Sequence, residues 1–275
     1  MSFFEDINIK YVDNKYIYLP ALVYFIVNAA AIYVLEQPWL ILFALSTLLI
    51  IVMLAVFHIY RSIIIEMEEE RRQNQALIAI HNMLDLKYPL PSMTKWAAKP
   101  DLAVTVMEYI QLLKPDFILE AGSGVTTLVS GYTLKKNNKG KILSLDHDEF
   151  YGNKTNQQLQ KHGLSNLASV VFAPIKEHQL EGKSWKWYST DNVSTQQKID
   201  LLIVDGPPVK TQQNARYPAL PLFYDRLSEK AVVILDDAGR DSESEILTQW
   251  QNKYPEFELE FIPSKKGIAV LTRGF

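Results

Sequence analysis

Phe117-Ile118-Leu119-Glu120-Ala121-Gly122-Ser123-Gly124-Val125-Thr126-Thr127 is the stretch on which the second half of this chain turns. It begins as a short apolar strand, makes a glycine-rich turn and enters a helix. Glycines let the backbone turn sharply and approach a ligand closely. A dinucleotide fingerprint would need a third glycine at 127, where threonine stands, and the Gly-Lys-Ser/Thr of a phosphate-binding loop is missing.

Outward from this turn, apolar runs alternate with polar ones. Strands are expected at 117–119, 141–145, 169–172, 200–204 and 231–235, with helices at 101–113, 125–136, 149–162, 213–228 and 242–253. Such alternation predicts a parallel sheet covered on both faces. Two last strands, 256–262 and 268–272, flank Pro263-Ser264-Lys265-Lys266-Gly267 and predict a hairpin. The fold expected is a Rossmann-like, seven-stranded, doubly wound α/β sheet closed by a C-terminal antiparallel hairpin. In such sheets ligands bind beyond the carboxyl ends of the strands, so the residues after each strand carry the function.

After the second strand comes Asp146-His147-Asp148, with Asp146 standing 22 residues past Gly124. A carboxylate there can accept both hydroxyls of a ribose, whereas Asp148 suits an N-cap. After the fourth strand comes Asp205-Gly206-Pro207-Pro208, and after the fifth Asp236-Asp237-Ala238-Gly239-Arg240.

Glu-x-Gly-x-Gly, an acidic end to strand two, Asp-Gly-Pro-Pro after strand four and a terminal hairpin together resemble the class I S-adenosylmethionine-dependent methyltransferases, over roughly 95–275. The resemblance implies that Glu120, Gly122, Ser123 and Gly124 shape the pocket for the methionine part of the cofactor. It implies that Asp146 binds the ribose, that His147 sits beside the adenine and that Asp205 faces cofactor and substrate. Asp-Gly-Pro-Pro departs from the Asp/Asn-Pro-Pro-aromatic motif of amino-group methyltransferases and is similar to the sugar-directed O-methyltransferases of plant xylan. In metal-dependent O-methyltransferases of the catechol type, acidic groups after strands four and five hold a divalent cation. Asp205, Asp236 and Asp237 resemble that set, and oxygen ligands suit Mg²⁺ or Mn²⁺; the family's third ligand is usually Asn, and Ala238 follows the acidic pair here. Without a metal, Asp205 or Asp237 is the expected general base.

Arg216 and Arg240 are expected on the rim, clamping an anionic acceptor. The long connection 174–198 is expected to form an extra hairpin or lid, with Trp187 stacking on the substrate.

The first half reads differently. Residues 17–60 carry one formal charge, Glu36, at a break Glu36-Gln37-Pro38 between two apolar arms. Each arm is long enough to cross a bilayer, so a helical hairpin of two transmembrane helices is expected, behind a short N-terminus at 1–16. Lys10, Lys15 and Arg61 flank the pair and its turn has no cation, which puts both termini and the domain in the cytoplasm. Polar residues 61–87 predict a solvated stalk helix, and Tyr88-Pro89-Leu90-Pro91 a linker to the domain at 88–275.

The absence of cysteine excludes disulfides, thiolate nucleophiles and zinc–thiolate sites. A net charge of -3 argues against binding nucleic acid through bulk charge. The partners expected are a bilayer through 17–60 and a small-molecule, glycan or lipid-linked acceptor. Competing readings are an NAD(P)-type oxidoreductase, against which the missing third glycine counts, and a non-enzymatic membrane scaffold with a degenerate domain.

Overall fold

The computed structural model describes residues 22–24, 26, 27, 29, 30, 33, 38–93, 97–194, 196–264 and 266–275. Two compact units divide at Glu68/Glu69. In the first, most of the expected arm 17–35 lies outside the described residues; the positions described between 22 and 33 are helical. The second arm opens α1 (Pro38–Met83), and from Trp39 that helix is long and apolar enough to cross a membrane. Leu42, Leu49, Met53, Leu54 and Phe57 are all more than half exposed along it. Apolar surface that no protein covers is what a helix facing lipid presents.

The expected stalk is not a separate helix. It continues α1 without a break, since 61–83 contains no Gly or Pro. Nor is its end solvated. Within the second unit Ile80 is fully buried, Gln73 Nε2 donates to Asp101 Oδ2 at 2.7 Å, and Glu69 lies 3.6 Å from Lys99. Arg72 pairs with Glu69 at 2.8 Å, one helical turn away.

The rest of the second unit is the expected sheet. Its strands are β1 (Phe117–Ala121), β2 (Lys141–Asp146), β3 (Ala168–Phe172), β6 (Ile199–Val204), β7 (Leu227–Asp236), β8 (Glu258–Ile262) and β9 (Ile268–Arg273), in the order β3-β2-β1-β6-β7-β9-β8. The first five run parallel. β9 inserts between β7 and β8, antiparallel to both. Two further strands, β4 (Ile175–Leu180) and β5 (Lys183–Tyr188), form a hairpin of their own in the long connection.

Side chains alternate across the sheet. Leu119, Leu202, Val233 and Leu235 pack with Trp187, Tyr217 and the helix α6 (Asp241–Lys253). Ile118, Ile203, Val232 and Ile234 pack on the other face, with α2 (Pro100–Leu113), α3 (Val125–Asn137) and α4 (Glu149–His162). Burial on both faces explains why these strands read as continuous apolar runs.

The helix expected at 213–228 is absent. Pro218 and Pro221 lack the N–H that a helix interior needs. Only the short α5 (Ala219–Phe223) forms, and Leu227 already begins β7.

Candidate active site at the carboxyl edge of the sheet

β2, β1 and β6 lie side by side and parallel, so their last residues share one edge. Gly122 turns there with φ +102°, a conformation that side chains strain to adopt. Its N–H donates to Leu145 O at 2.9 Å, while Asp205 N donates to Ala121 O at 2.9 Å. The turn is thereby tied to both neighbouring strands.

Glu120, next to last in β1, is wholly buried. Thr126 and Ser144 donate short hydroxyl bonds to its carboxylate, and Thr127 Oγ1 donates at 2.5 Å. Thr127 also accepts from Gly124 N at 3.0 Å. The threonine at 127 therefore tethers the turn to β1. Burial pushes the Glu120 carboxyl above the usual range, against the lowering effect of the three hydroxyls.

At the end of β2, Asp146 accepts from Ser123 Oγ at 2.5 Å and from Asp148 N at 3.0 Å. Asp148 caps α4 through Phe150 N and Tyr151 N, as its position in the sequence predicts. His147 Nδ1 is buried without a hydrogen-bond partner, 3.8 Å from Asp146 Oδ1. Its ring stands edge-on to Tyr188, 5.8 Å between centroids.

Tyr188 ends β5 and crosses this edge. It is buried, and a Cβ on Gly206 would overlap its hydroxyl. Burial first, then Asp146 and Asp205, push its phenol far above the usual range. Trp187, expected to stack on substrate, is fully buried in the core instead. The hairpin is as expected, but the aromatic that reaches the edge is its neighbour.

The third group lies beyond β6 and β7. Carboxylate oxygens of Asp205, Asp236 and Asp237 fall within 4.8 Å of one another. Arg216, expected on the rim, is 4% exposed and points into this cluster. Its Nη2 lies 2.9 Å from Asp237 Oδ2 and 3.4 Å from Asp205 Oδ1, and its Nη1 donates to Asp236 O at 2.7 Å. Arg240 Nη1 is 2.9 Å from Asp237 Oδ2, and Lys266 Nζ is 3.1 Å from Asp237 Oδ1. Buried Glu243 completes the set, 3.7 Å from Arg216 Nε. Both arginines thus pair with carboxylates of the chain itself.

Burial, and then Asp236 beside it, push the Asp205 carboxyl well above the usual range. Burial and Asp237 raise Asp236 as well. Burial would also raise Asp237, but Arg216, Lys266 and Arg240 outweigh it and hold that carboxyl below the usual range.

The acidic set has the oxygen donors of a Mg²⁺ or Mn²⁺ site, yet a guanidinium already bridges two of its three carboxylates. The position after the pair offers only the methyl of Ala238. A divalent cation and Arg216 would compete for the same oxygens, so these residues do not fit a metal while Arg216 is in place.

Sequence reasoning missed Glu243 and Lys266, which lie on different elements from the aspartates, and Ser144, Thr126 and Thr127 as the cage of Glu120. A polar triad flanking a strand-end glutamate was the available signal for the last.

A family model described as "Methyltransferase domain" matches residues 119–238, spanning β1 to just past β7. Nothing matches among curated proteins. Solved structures share the fold at low identity. One is an O-methyltransferase from Streptomyces achromogenes involved in tomaymycin synthesis, in complex with SAM (13% identity, TM-score 0.51, covering 75% of this chain and 99% of that one). A second is an O-methyltransferase from Bacillus cereus in complex with SAH (12%, 0.50, 74% and 90%). A third is an SAH-bound methyltransferase from Podospora anserina (13%, 0.50, 73% and 88%). The domain match covers the part of the sheet that carries the glycine turn, Asp146 and Asp205.

Proposed function

We propose that the chain is a membrane-anchored S-adenosylmethionine-dependent methyltransferase that methylates a hydroxyl of a small-molecule, glycan or lipid-linked acceptor. One observation carries the reading. The glycine turn, Asp146 and Asp205 line up along the adjoining carboxyl ends of β1, β2 and β6, inside the segment that matches a methyltransferase domain.

S-adenosylmethionine, when bound, supplies a methyl group made electrophilic by the sulfonium it sits on. Methyl transfer then asks the protein for alignment and for removal of one proton. The glycine turn leaves bare backbone for the methionine part. Asp146 accepts the ribose hydroxyls, with Ser123 holding the carboxylate in place, and His147 borders the adenine.

Of the two candidate bases, Asp205 is the better placed to take the acceptor proton. Its side chain keeps 22% of its surface open, so an acceptor hydroxyl can reach the carboxylate. Asp237 is sealed among three cations. Its role is to hold Arg216 in place.

Attachment rests on the apolar stretch of α1. The cations flanking 17–60 favour a cytoplasmic domain. An acceptor at the bilayer surface accounts for the anchor.

Calorimetric titration of the full chain in detergent micelles with S-adenosylmethionine tests the reading. Saturable binding is expected, weakened about 10- to 100-fold by Asp146→Ala, the usual cost of losing hydrogen bonds to a charged group. A folded chain that binds no S-adenosylmethionine, or that binds NADH instead, overturns it.

A further inference from the structure

We infer that the guanidinium of Arg216 is the resident cation of this active site, standing where the metal-dependent O-methyltransferases it resembles hold a divalent ion, and that the chain works without added metal. The inference rests on the methyltransferase reading and specifies how that site manages its charge.

Arg216 contacts every member of the acidic set. It reaches the Asp205 and Asp237 carboxylates at 3.4 and 2.9 Å, the Asp236 carbonyl at 2.7 Å and the Glu243 carboxylate at 3.7 Å. An oxygen-bound divalent ion sits roughly 2.0–2.6 Å from its ligands. An ion shared by Asp205 and Asp237 would therefore press against the guanidinium that already bridges them. Arginine cannot leave by losing its proton. Its burial removes the alternative of swinging into water without breaking several contacts.

Counting charges leads to the same place. Asp205, Asp236, Asp237 and Glu243 face Arg216, Arg240 and Lys266. Four carboxylates against three cations leave at most one formal negative charge, and none where Asp205 and Asp236 share a proton, the direction in which burial pushes both. A divalent ion overshoots either remainder. Arg216 acts through Asp205 and Asp237 and is a positioning residue. Its rigid fork fixes both carboxylates, which a lysine, a point charge on a flexible stem, cannot do.

The experiment uses the full chain in detergent micelles, with Mn²⁺ followed by electron paramagnetic resonance and S-adenosylmethionine binding by calorimetry. Wild type should leave Mn²⁺ free and bind S-adenosylmethionine equally in chelator and in Mn²⁺. Arg216→Ala should gain a bound Mn²⁺, and a further Asp237→Asn should lose it. Its weakened S-adenosylmethionine affinity should recover about 10-fold on adding guanidinium ion, which a merely structural lesion would not show. Arg216→Lys should stay metal-free, with intermediate cofactor affinity.

A bound Mn²⁺ in wild type that Asp237→Asn removes overturns the inference. So does a folded Arg216→Ala variant that binds no Mn²⁺ and is not helped by guanidinium. If Arg216→Ala does not fold, the wild-type and Arg216→Lys titrations decide alone. Failure of wild type to bind S-adenosylmethionine would instead sink the methyltransferase reading, whatever the Mn²⁺ result.

Discussion

Glu120 and Asp237 are two buried carboxylates at the same edge of one sheet, and they are satisfied by opposite means. Glu120 is met only by hydroxyls, from Thr126, Thr127 and Ser144. Asp237 is met by Arg216, Arg240 and Lys266. Burial raises the first above the usual range, while the cations hold the second below it. Hydroxyls fill a carboxylate's hydrogen bonds without offsetting its charge; cations do both. A hydroxyl cage therefore suits a tether, and a cationic cage suits a site that must stay charged. Under the proposed function the consequence is a division of labour, with Glu120 holding the glycine turn and Asp237 holding Arg216 beside the reacting Asp205.

Substituting the reacting end should produce the largest effect. Asp205→Asn keeps the shape and removes the base. Release of S-adenosylhomocysteine in membranes containing the natural acceptor should fall by about 10²–10⁴-fold, the usual worth of a positioned general base. Cofactor affinity and melting temperature should change little by comparison. An equal loss of activity from Glu120→Gln in a folded, cofactor-binding chain would break the division.

The tether end should register in stability. Glu120→Ala strips the acceptor from three buried hydroxyls and leaves a cavity between β1, β2 and α3. A loss of roughly 3 kcal/mol is expected, since each buried polar group left unpaired costs about 1–3 kcal/mol. Denaturant unfolding of the full chain in micelles measures it. A loss under 1 kcal/mol would mean that the hydroxyls find other partners and that Glu120 is no tether.

The two ends meet at Gly206, beside Asp205. A methyl group there would overlap the Tyr188 hydroxyl. Gly206→Ala should therefore cost about 1–3 kcal/mol, the usual range for overpacking. Tyr188→Phe removes the hydroxyl and should relieve most of that cost in a double-mutant cycle. Strict additivity of the two changes would mean that the backbone, not the phenol, fixes the glycine.

How far these arrangements were legible follows from the range of the forces involved. Strand positions were readable because a strand buried on both faces must be a short apolar run, as in Leu201-Leu202-Ile203-Val204. The start of β7 was not, because Ser228-Glu229-Lys230 stands partly outside the core and reads as polar helix. Asp146 and Asp205 were legible because the chain order of a doubly wound sheet sends each strand end to one edge. The buried placement of Arg216 was not. Its partners lie 11, 20, 21 and 27 positions away, after β6, at the end of β7 and in α6, and no local pattern encodes that convergence. Trp187 and Tyr188 were separable only by the hairpin's docking, since both belong to the same buried end of β5. The one-helix course of 61–83 was implicit in its lack of Gly and Pro, but its docking on α2 depended on Gln73 meeting Asp101.

The smallest expected effect is also the sharpest test of the contrast, because only its sign matters. Glu120 is raised in the folded chain relative to the unfolded one. Its contribution to stability is therefore fully present below the ordinary glutamate range and is lost as pH rises through its folded value. Asp237 is lowered. Its contribution is present above the ordinary aspartate range and is lost as pH falls through its depressed value. Each amounts to about 1.4 kcal/mol per unit of separation between folded and unfolded values. Melting temperature against pH should show Glu120→Gln flattening the decline on the less acid side and Asp237→Asn flattening the decline on the more acid side. Asp237→Asn also strips three cations of their partner and should lower stability at every pH, so the slope and not the height is the readout. If both substitutions flatten the same limb, hydroxyls and cations are doing the same electrostatic work, and the division between tether and reacting end fails.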